Sequence, residues 1–127
     1  MSVKVTRQDT EISREDQQKI NAFSKLNMRS HEYRKDIKAL KEKLDALQDA
    51  EQMIEESFGE GLKLQIGEAL IDVDEETATK YQQKIMEETQ EELEKLQDQL
   101  DEIENEMKNL KSYLYARFGT AINLEEE

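Results

Sequence analysis

The chain has 127 residues and a net charge of −13, and charged residues make up 39 % of it against 35 % for hydrophobic ones. That hydrophobic share lies below the roughly 45–50 % of ordinary globular domains, so the length predicts one domain without a large packed core. A strongly acidic surface repels phosphate backbones, and no apolar run approaches the ~20 residues of a membrane span. We therefore expect neither a nucleic-acid partner nor a membrane partner.

Cysteine is absent, which excludes disulfides and thiolate chemistry. The N-terminal stretch MSVKVTRQDTEISRED has no apolar segment of the kind that a secretory signal needs. These features predict a soluble intracellular protein. We expect it in the cytoplasm, with an additional nuclear location left open.

The first predicted element is a helix over residues 14–58, which follows a flexible end, residues 1–12. Ser13 is placed to cap this helix, and Gly59 follows it, where a left-handed backbone commonly ends a helix. From residue 23 onwards, apolar residues recur at alternating spacings of three and four. This is the heptad seam of a coiled coil. The seam positions are Phe23, Leu26, Ser30, Tyr33, Ile37, Leu40, Leu44, Leu47, Glu51, Ile54 and Phe58.

The next predicted element is a β-hairpin over residues 62–73, where the apolar period changes to strict alternation. Gly67 and Glu68 form a two-residue turn with glycine first, and Lys63 then faces Asp72 across the strands. The opposite face of the hairpin collects six apolar residues. They are Leu62, Leu64, Ile66, Ala69, Ile71 and Val73. A lone hairpin with a bare apolar face is marginal in water, so the pattern predicts an oligomer built on this hairpin.

The last predicted helix covers residues 75–118, with Asp74 as its cap, Gly119 after its end and a flexible segment over residues 120–127. Its seam runs through Met86, Thr89, Leu93, Leu96, Leu100, Ile103, Met107, Leu110 and Leu114. Helices of equal length with a short connection fold back on each other, and the first carries an excess of basic residues while the second is acidic. The predicted fold class is therefore mainly α, a long antiparallel two-helix coiled coil joined by a single β-hairpin that contributes to an oligomeric β-barrel. Two amphipathic faces inside another helical bundle are the alternative.

The sequence contains no pattern that predicts an enzyme. His31, the single histidine, follows seam position Ser30 and is expected to face solvent. Gly59-Glu60-Gly61 lacks the remaining residues of a phosphate loop, and the acidic residues 72–76 lack the spacing of an EF-hand loop. We expect no catalytic residue, no cofactor and no metal.

Three stretches resemble those of β-class prefoldin subunits. They are EDQQKINAFSKL at residues 15–26, LQIGEALI at residues 64–71 and LYARFGTAINLE at residues 114–125. The family often has an aromatic residue where Leu70 stands here and an acidic-plus-bulky pair where Glu68-Ala69 stand. The resemblance is spread along nearly the whole chain.

The resemblance implies a subunit of a hexameric co-chaperone with two α-type and three further β-type subunits. In that family, hairpins form a double β-barrel, and coiled-coil tips hold unfolded actin and tubulin for transfer to the cytosolic group II chaperonin without ATP. A structural coiled-coil tether or scaffold without chaperone activity is the alternative function.

The resemblance also implies two functional surfaces on this chain. The apolar face of the hairpin would serve oligomerisation. The client-binding tip would consist of Ile20, Phe23, Leu26, Leu114, Phe118, Ile122 and Leu124. We expect the tip residues near the C-terminus to be exposed for gripping non-native chains. The alternative is that Ile122 and Leu124 fold back and cap the coiled coil.

Overall fold

The structure is a computed structural model that describes residues 4–5 and 11–125. Two helices dominate it, α1 (Arg14–Glu56) and α2 (Glu75–Phe118). Strands β2 (Lys63–Ile66) and β3 (Ala69–Asp72) lie between them in sequence. The remaining elements are β1 (Lys4–Val5), a 3₁₀ turn (Gly119–Ala121) and β4 (Ile122–Asn123). The chain divides into two compact units, a terminal unit of residues 1–35 and 97–127 and a hairpin unit of residues 36–96.

Both helices begin at the caps that the sequence predicts. The backbone N–H of Asp16 donates to Ser13 Oγ at 3.0 Å, and the N–H of Ser13 donates back to Asp16 Oδ2 at 3.1 Å. At the start of α2, the N–H of Thr77 donates to Asp74 Oδ1 at 2.8 Å. Each carboxylate or hydroxyl oxygen satisfies an N–H that has no partner inside the helix.

The end of α1 differs from the prediction, because the helix stops at Glu56 and Phe58 leaves the seam. The Ser57 hydroxyl donates to the Ile54 carbonyl at 2.6 Å and accepts the N–H of Gly59 at 3.2 Å. This side chain therefore competes for backbone groups that would extend the helix. Phe58 has a left-handed φ of 53° and its residue is 88 % exposed.

The hairpin has the predicted register. Strands β2 and β3 pair antiparallel, with Lys63 opposite Asp72, Leu64 opposite Ile71 and Ile66 opposite Ala69. The N–H of Val73 donates to the Leu62 carbonyl at 3.1 Å and extends the pairing. Gly67 has φ 61°, which is the left-handed backbone that the first turn position requires.

The helix seam is confirmed by burial, although it is buried unevenly. Seam residues Ile37, Leu100 and Ile103 are buried, whereas Leu44 and Leu93 are half-buried. A two-helix seam leaves its flanks open to water, so half-burial is expected for many heptad positions. Two of the three polar seam positions, Ser30 and Thr89, are satisfied locally. The Ser30 hydroxyl donates to the Asn27 carbonyl and the Thr89 hydroxyl donates to the Ile85 carbonyl, both at 2.7 Å.

Candidate functional sites in the terminal and hairpin units

An apolar cluster joins the two ends of the chain within the terminal unit. It combines residues from the start of α1, the end of α2 and the segment after α2. The cluster consists of Ile20, Phe23, Leu114, Phe118, Ala121, Ile122 and Leu124. Three partly buried residues pack against it, namely Met107, Leu110 and Tyr115. We call this set the terminal cluster. Of the predicted tip residues, only Leu26 lies outside it, half-buried beside Tyr33 and Ile103.

The segment Gly119–Glu125, which we call the tail, packs against this cluster through its apolar side chains. Gly119 has φ 58° and starts the 3₁₀ turn, which sends the chain back towards α1. Ile122 is only 3 % exposed and Leu124 only 1 %. The expectation that these tip residues are exposed is therefore wrong. Water favours a folded-back tail because the apolar ends of α1 and α2 offer a surface on which it can bury both side chains.

Polar contacts hold the outer end of the tail. The N–H of Leu124 donates to the Tyr115 hydroxyl oxygen at 3.1 Å, and that hydroxyl donates to Glu125 Oε1 at 3.2 Å. Lys111 Nζ lies 3.2 Å from Glu125 Oε1, with both side chains substantially exposed. Exposed ion pairs contribute little to stability, so the buried apolar side chains supply most of the attachment.

Asp16 lies beside the terminal cluster as a fully buried carboxylate with several hydrogen-bond donors. Arg117 Nε donates to Asp16 Oδ2 at 2.6 Å, and the Tyr113 hydroxyl donates to Asp16 Oδ1 at 3.1 Å. Burial alone would raise the pKa of Asp16, but the hydrogen bonds from Arg117, Ser13 and Tyr113 outweigh it and hold that pKa well below its usual range. The same contact with Asp16 raises the pKa of Arg117. The ion pair thus ties the first turn of α1 to the last turn of α2.

Sequence reasoning missed this ion pair, although a partial signal was present. Asp16 stands three residues after Ser13, which is the spacing of a capping box. That spacing predicts only a local role for the carboxylate. Nothing local indicates that Arg117 and Tyr113 would meet Asp16 from the far end of the sequence. Lys19 adds a further link, with its Nζ 4.5 Å from the centre of the Tyr113 ring.

A groove beside the terminal cluster contains one unsatisfied polar atom. Asn27 is 4 % exposed, and its Oδ1 accepts no hydrogen bond in the described part of the chain. The groove has a volume of about 310 Å³, and its lining includes Phe23, Asn27, Met107, Lys111 and Leu124. A buried acceptor without a donor is unfavourable, so Asn27 is a locally unsatisfied position next to the groove.

The hairpin unit leaves several large apolar residues in contact with water. On β2 and β3, Ile66 is 52 % exposed, Leu70 64 % and Ile71 46 %. Met53 near the end of α1 is also exposed, at 68 %. Such a concentration of exposed apolar residues on a small hairpin is typical of a protein interface.

The inner part of the hairpin closes onto the helices and forms a second groove. Leu62, Leu64 and Val73 are half-buried there. The groove has a volume of about 810 Å³ and is lined by both helices and the hairpin, including Leu47, Ile54 and Tyr81 on the helices. The side-chain amide of Gln82 donates to the Leu47 carbonyl and joins the two helices within this unit. The predicted hairpin residues are therefore brought together, divided between a half-buried base and an exposed end.

The described part of the chain contains neither a cluster suited to binding a metal ion nor a helix suited to crossing a membrane. Among residues 4–5 and 11–125, no group of three or more His, Cys, Asp or Glu side chains is arranged to hold a metal ion. Within the same residues, neither long helix has an apolar stretch sufficient to cross a membrane.

The fold consists of two long helices with one two-stranded hairpin between them in sequence, which is the architecture of a coiled-coil subunit. The family described as "Prefoldin subunit" matches residues 17–121 of the chain. The chain therefore belongs to the prefoldin subunit family and is a co-chaperone subunit.

The curated relatives in the family extend over nearly the whole chain. "Prefoldin subunit 4" of Homo sapiens is 32 % identical over 126 residues, covering 98 % of this chain and 94 % of the relative. "Prefoldin subunit 4" of Saccharomyces cerevisiae is 34 % identical over 122 residues, covering 94 % and 93 %. "Probable prefoldin subunit 4" of Dictyostelium discoideum is 34 % identical over 119 residues, covering 93 % and 90 %. No solved structure matched the chain.

Proposed function

We propose that this chain is the subunit-4 member of a hexameric prefoldin, with two α-type and three further β-type neighbours. Its hairpin enters a β-barrel with the hairpins of those neighbours. Its terminal unit binds non-native actin and tubulin in the cytoplasm. The hexamer transfers these clients to the group II chaperonin without ATP.

The observation that carries this proposal is the exposed apolar end of the hairpin in a chain of this family. On the apolar face of the hairpin, Ile66 is 52 % exposed and Ile71 is 46 % exposed. Two-stranded hairpins are marginal by themselves, and pairing with other hairpins would cover both their apolar face and their unpaired edges. A tether built only on its helix seam has no use for such a hairpin.

The assembly role is tested with Ile66→Asp, which places a carboxylate on the apolar face. Burying an unpaired carboxylate costs several kcal/mol. The variant should therefore not enter the hexamer. Native mass spectrometry of the variant mixed with all partner subunits measures its entry. Because Ile66 is half exposed in the free chain, helicity by circular dichroism should remain unchanged.

Gln65→Asp is the matched control, since it changes the neighbouring residue on the other face of the same strand. It should enter the hexamer like the unmodified chain. Complete hexamers containing Ile66→Asp would contradict the proposed hairpin interface. Self-association of this chain through its helices, without partner subunits, would instead favour the structural tether.

The client role is tested by the aggregation of denatured actin in the presence of assembled hexamers. Phe23→Asp introduces a charge into the terminal cluster, where Phe23 is 1 % exposed. Hexamers with this variant should suppress aggregation less well. Suppression equal to that of the unmodified hexamer would contradict a client site in this unit.

A further inference from the structure

The tail occupies the terminal cluster in the manner of a bound peptide. It is extended over Ile122–Asn123, and burial alternates, with Ile122 and Leu124 buried and Asn123 exposed between them. An extended backbone points alternate side chains to opposite sides, so the cluster receives two apolar side chains that stand two residues apart. The tail is therefore attached through a pattern that many non-native polypeptides contain.

Main-chain contacts of the tail also resemble those of a bound peptide. Strand β4 pairs antiparallel with β1, with Lys4 opposite Asn123 and Val5 opposite Ile122. The N–H of Leu124 donates to the Tyr115 hydroxyl. Backbone pairing of this kind recognises an extended segment without regard to its sequence, and apolar pockets then select its side chains.

The cluster beneath the tail is formed by the helices themselves. Ile20 and Phe23 come from α1, and Leu114 and Phe118 come from α2. These four residues pack with the tail, but they belong to helices that are stabilised by caps and by the Asp16–Arg117 ion pair. Removing the tail would expose an apolar surface on an otherwise intact end of the helix pair.

The contacts of the tail are weak enough in part for a client segment to compete with it for the terminal cluster. Its ion pair between Lys111 and Glu125 is exposed, with side-chain exposures of 35 % and 65 %. Asn27, which lines the adjoining groove, keeps a buried and unsatisfied Oδ1 while the tail is bound. A client segment that donates to Asn27 gains a contact that the tail does not make. The tail has the advantage of a short covalent connection, which gives it an effective concentration of roughly millimolar order.

We propose that the tail is an internal substitute for a client and that clients displace it. The site takes extended, non-native polypeptide segments with apolar side chains at positions i and i+2, and the tail covers it when no client is present. This inference rests on the proposed client role of the terminal unit and specifies the kind of segment that it binds.

The direct test uses the tail as a separate peptide. Hexamers are assembled with a chain that lacks residues 119–127, and binding of a fluorescent peptide GTAINLE, residues 119–125, is measured by anisotropy. The truncated hexamer should bind the peptide at least tenfold more tightly than the intact hexamer, in which the tail competes. A matched peptide with Ile122→Asp and Leu124→Asp should not bind. Equal binding by both hexamers, or equal binding of both peptides, would overturn the proposal.

A second variant covers the case in which truncation disorders the helix ends. Leu124→Ala keeps the full chain and removes most of a side chain that is 1 % exposed, so it loosens the tail without deleting it. Peptide binding should rise several-fold over the intact hexamer, with unchanged helicity by circular dichroism. Unchanged binding by this variant would also count against the proposal.

Denatured actin separates this inference from the proposed function. Peptide binding without any effect of either variant on actin aggregation would support a displaceable tail and contradict the client role. Suppression of actin aggregation that needs Phe23, combined with no peptide binding by the truncated hexamer, would support the client role and overturn the substitute-client inference.

Discussion

Replacing Phe58 with glycine should stabilise the free chain and weaken its assembly, two effects of opposite sign. Phe58 has φ 53° in the described structure, where only glycine and a few polar residues are comfortable. Glycine removes a conformational cost of roughly 1–2 kcal/mol but loses roughly 0.5–1 kcal/mol more chain entropy on folding. The ring is 88 % exposed, so its removal forfeits little burial in the free chain. The net gain therefore lies between about 0 and 1.5 kcal/mol, with about 0.5–1 kcal/mol at the centre of that range.

The stability half of this prediction is measured by thermal unfolding. For a chain of this size, the expected gain corresponds to a rise in Tm of about 2–4 °C. Phe58→Ala is the matched control, because it removes the ring but keeps a Cβ at the same left-handed position. Its Tm should stay close to that of the unmodified chain. A lower Tm for the glycine variant would refute the argument from backbone strain.

The predicted loss of assembly is measured by competition between the unmodified chain and the variants for partner subunits. An exposed aromatic residue in a strained conformation near the hairpin is unfavourable in the free chain, and insertion into a partner would explain its presence. Equal amounts of unmodified and Phe58→Gly chain, mixed with limiting partner subunits, should give hexamers enriched in the unmodified chain by native mass spectrometry. Phe58→Ala should lose the competition as well. Equal incorporation of all three chains would refute a role for the ring in the interface.

Two further predictions concern the terminal unit and the seam. Leu114→Ala should lower the free energy of unfolding by about 3–5 kcal/mol because Leu114 is fully buried. Leu44→Ala should lower it by about 2 kcal/mol because Leu44 is half-buried. Urea unfolding compares the two variants, and equal losses would contradict the difference in packing. Because the pKa of Asp16 is depressed in the folded state, its contribution is present above the unfolded pKa of about 4 and is lost as pH falls towards the folded value. Asp16→Asn should therefore lower the urea midpoint at pH 7 and reduce its fall between pH 7 and pH 3 relative to the unmodified chain; parallel pH profiles would contradict the assignment.

The features that sequence predicted well depend on neighbouring residues. Ser13 and Asp74 act as caps because each has an oxygen within reach of an N–H three residues ahead. The hairpin register follows from alternation and from a glycine turn, since a shift of one residue would turn every apolar side chain to the opposite face. Local spacing contains all of this information.

The features that were missed depend on contacts between distant residues or on a single competing side chain. The tail could be expected either exposed or folded back, and the choice depends on the apolar surface that α1 and α2 create together. The Asp16–Arg117 pair joins residues 101 positions apart. The end of α1 was placed too late because the Ser57 hydroxyl takes over a backbone carbonyl that heptad spacing does not consider.

The buried Asp16–Arg117 contact also has a consequence for alignment of the two helices. A heptad seam repeats itself, so one helix can slide by seven residues along the other and still place apolar groups opposite each other. Such a slide would leave the Asp16 carboxylate without the Arg117 guanidinium, and a buried charge that loses its partner is strongly unfavourable. The ion pair therefore selects one register of the two helices among several that have similar apolar contacts.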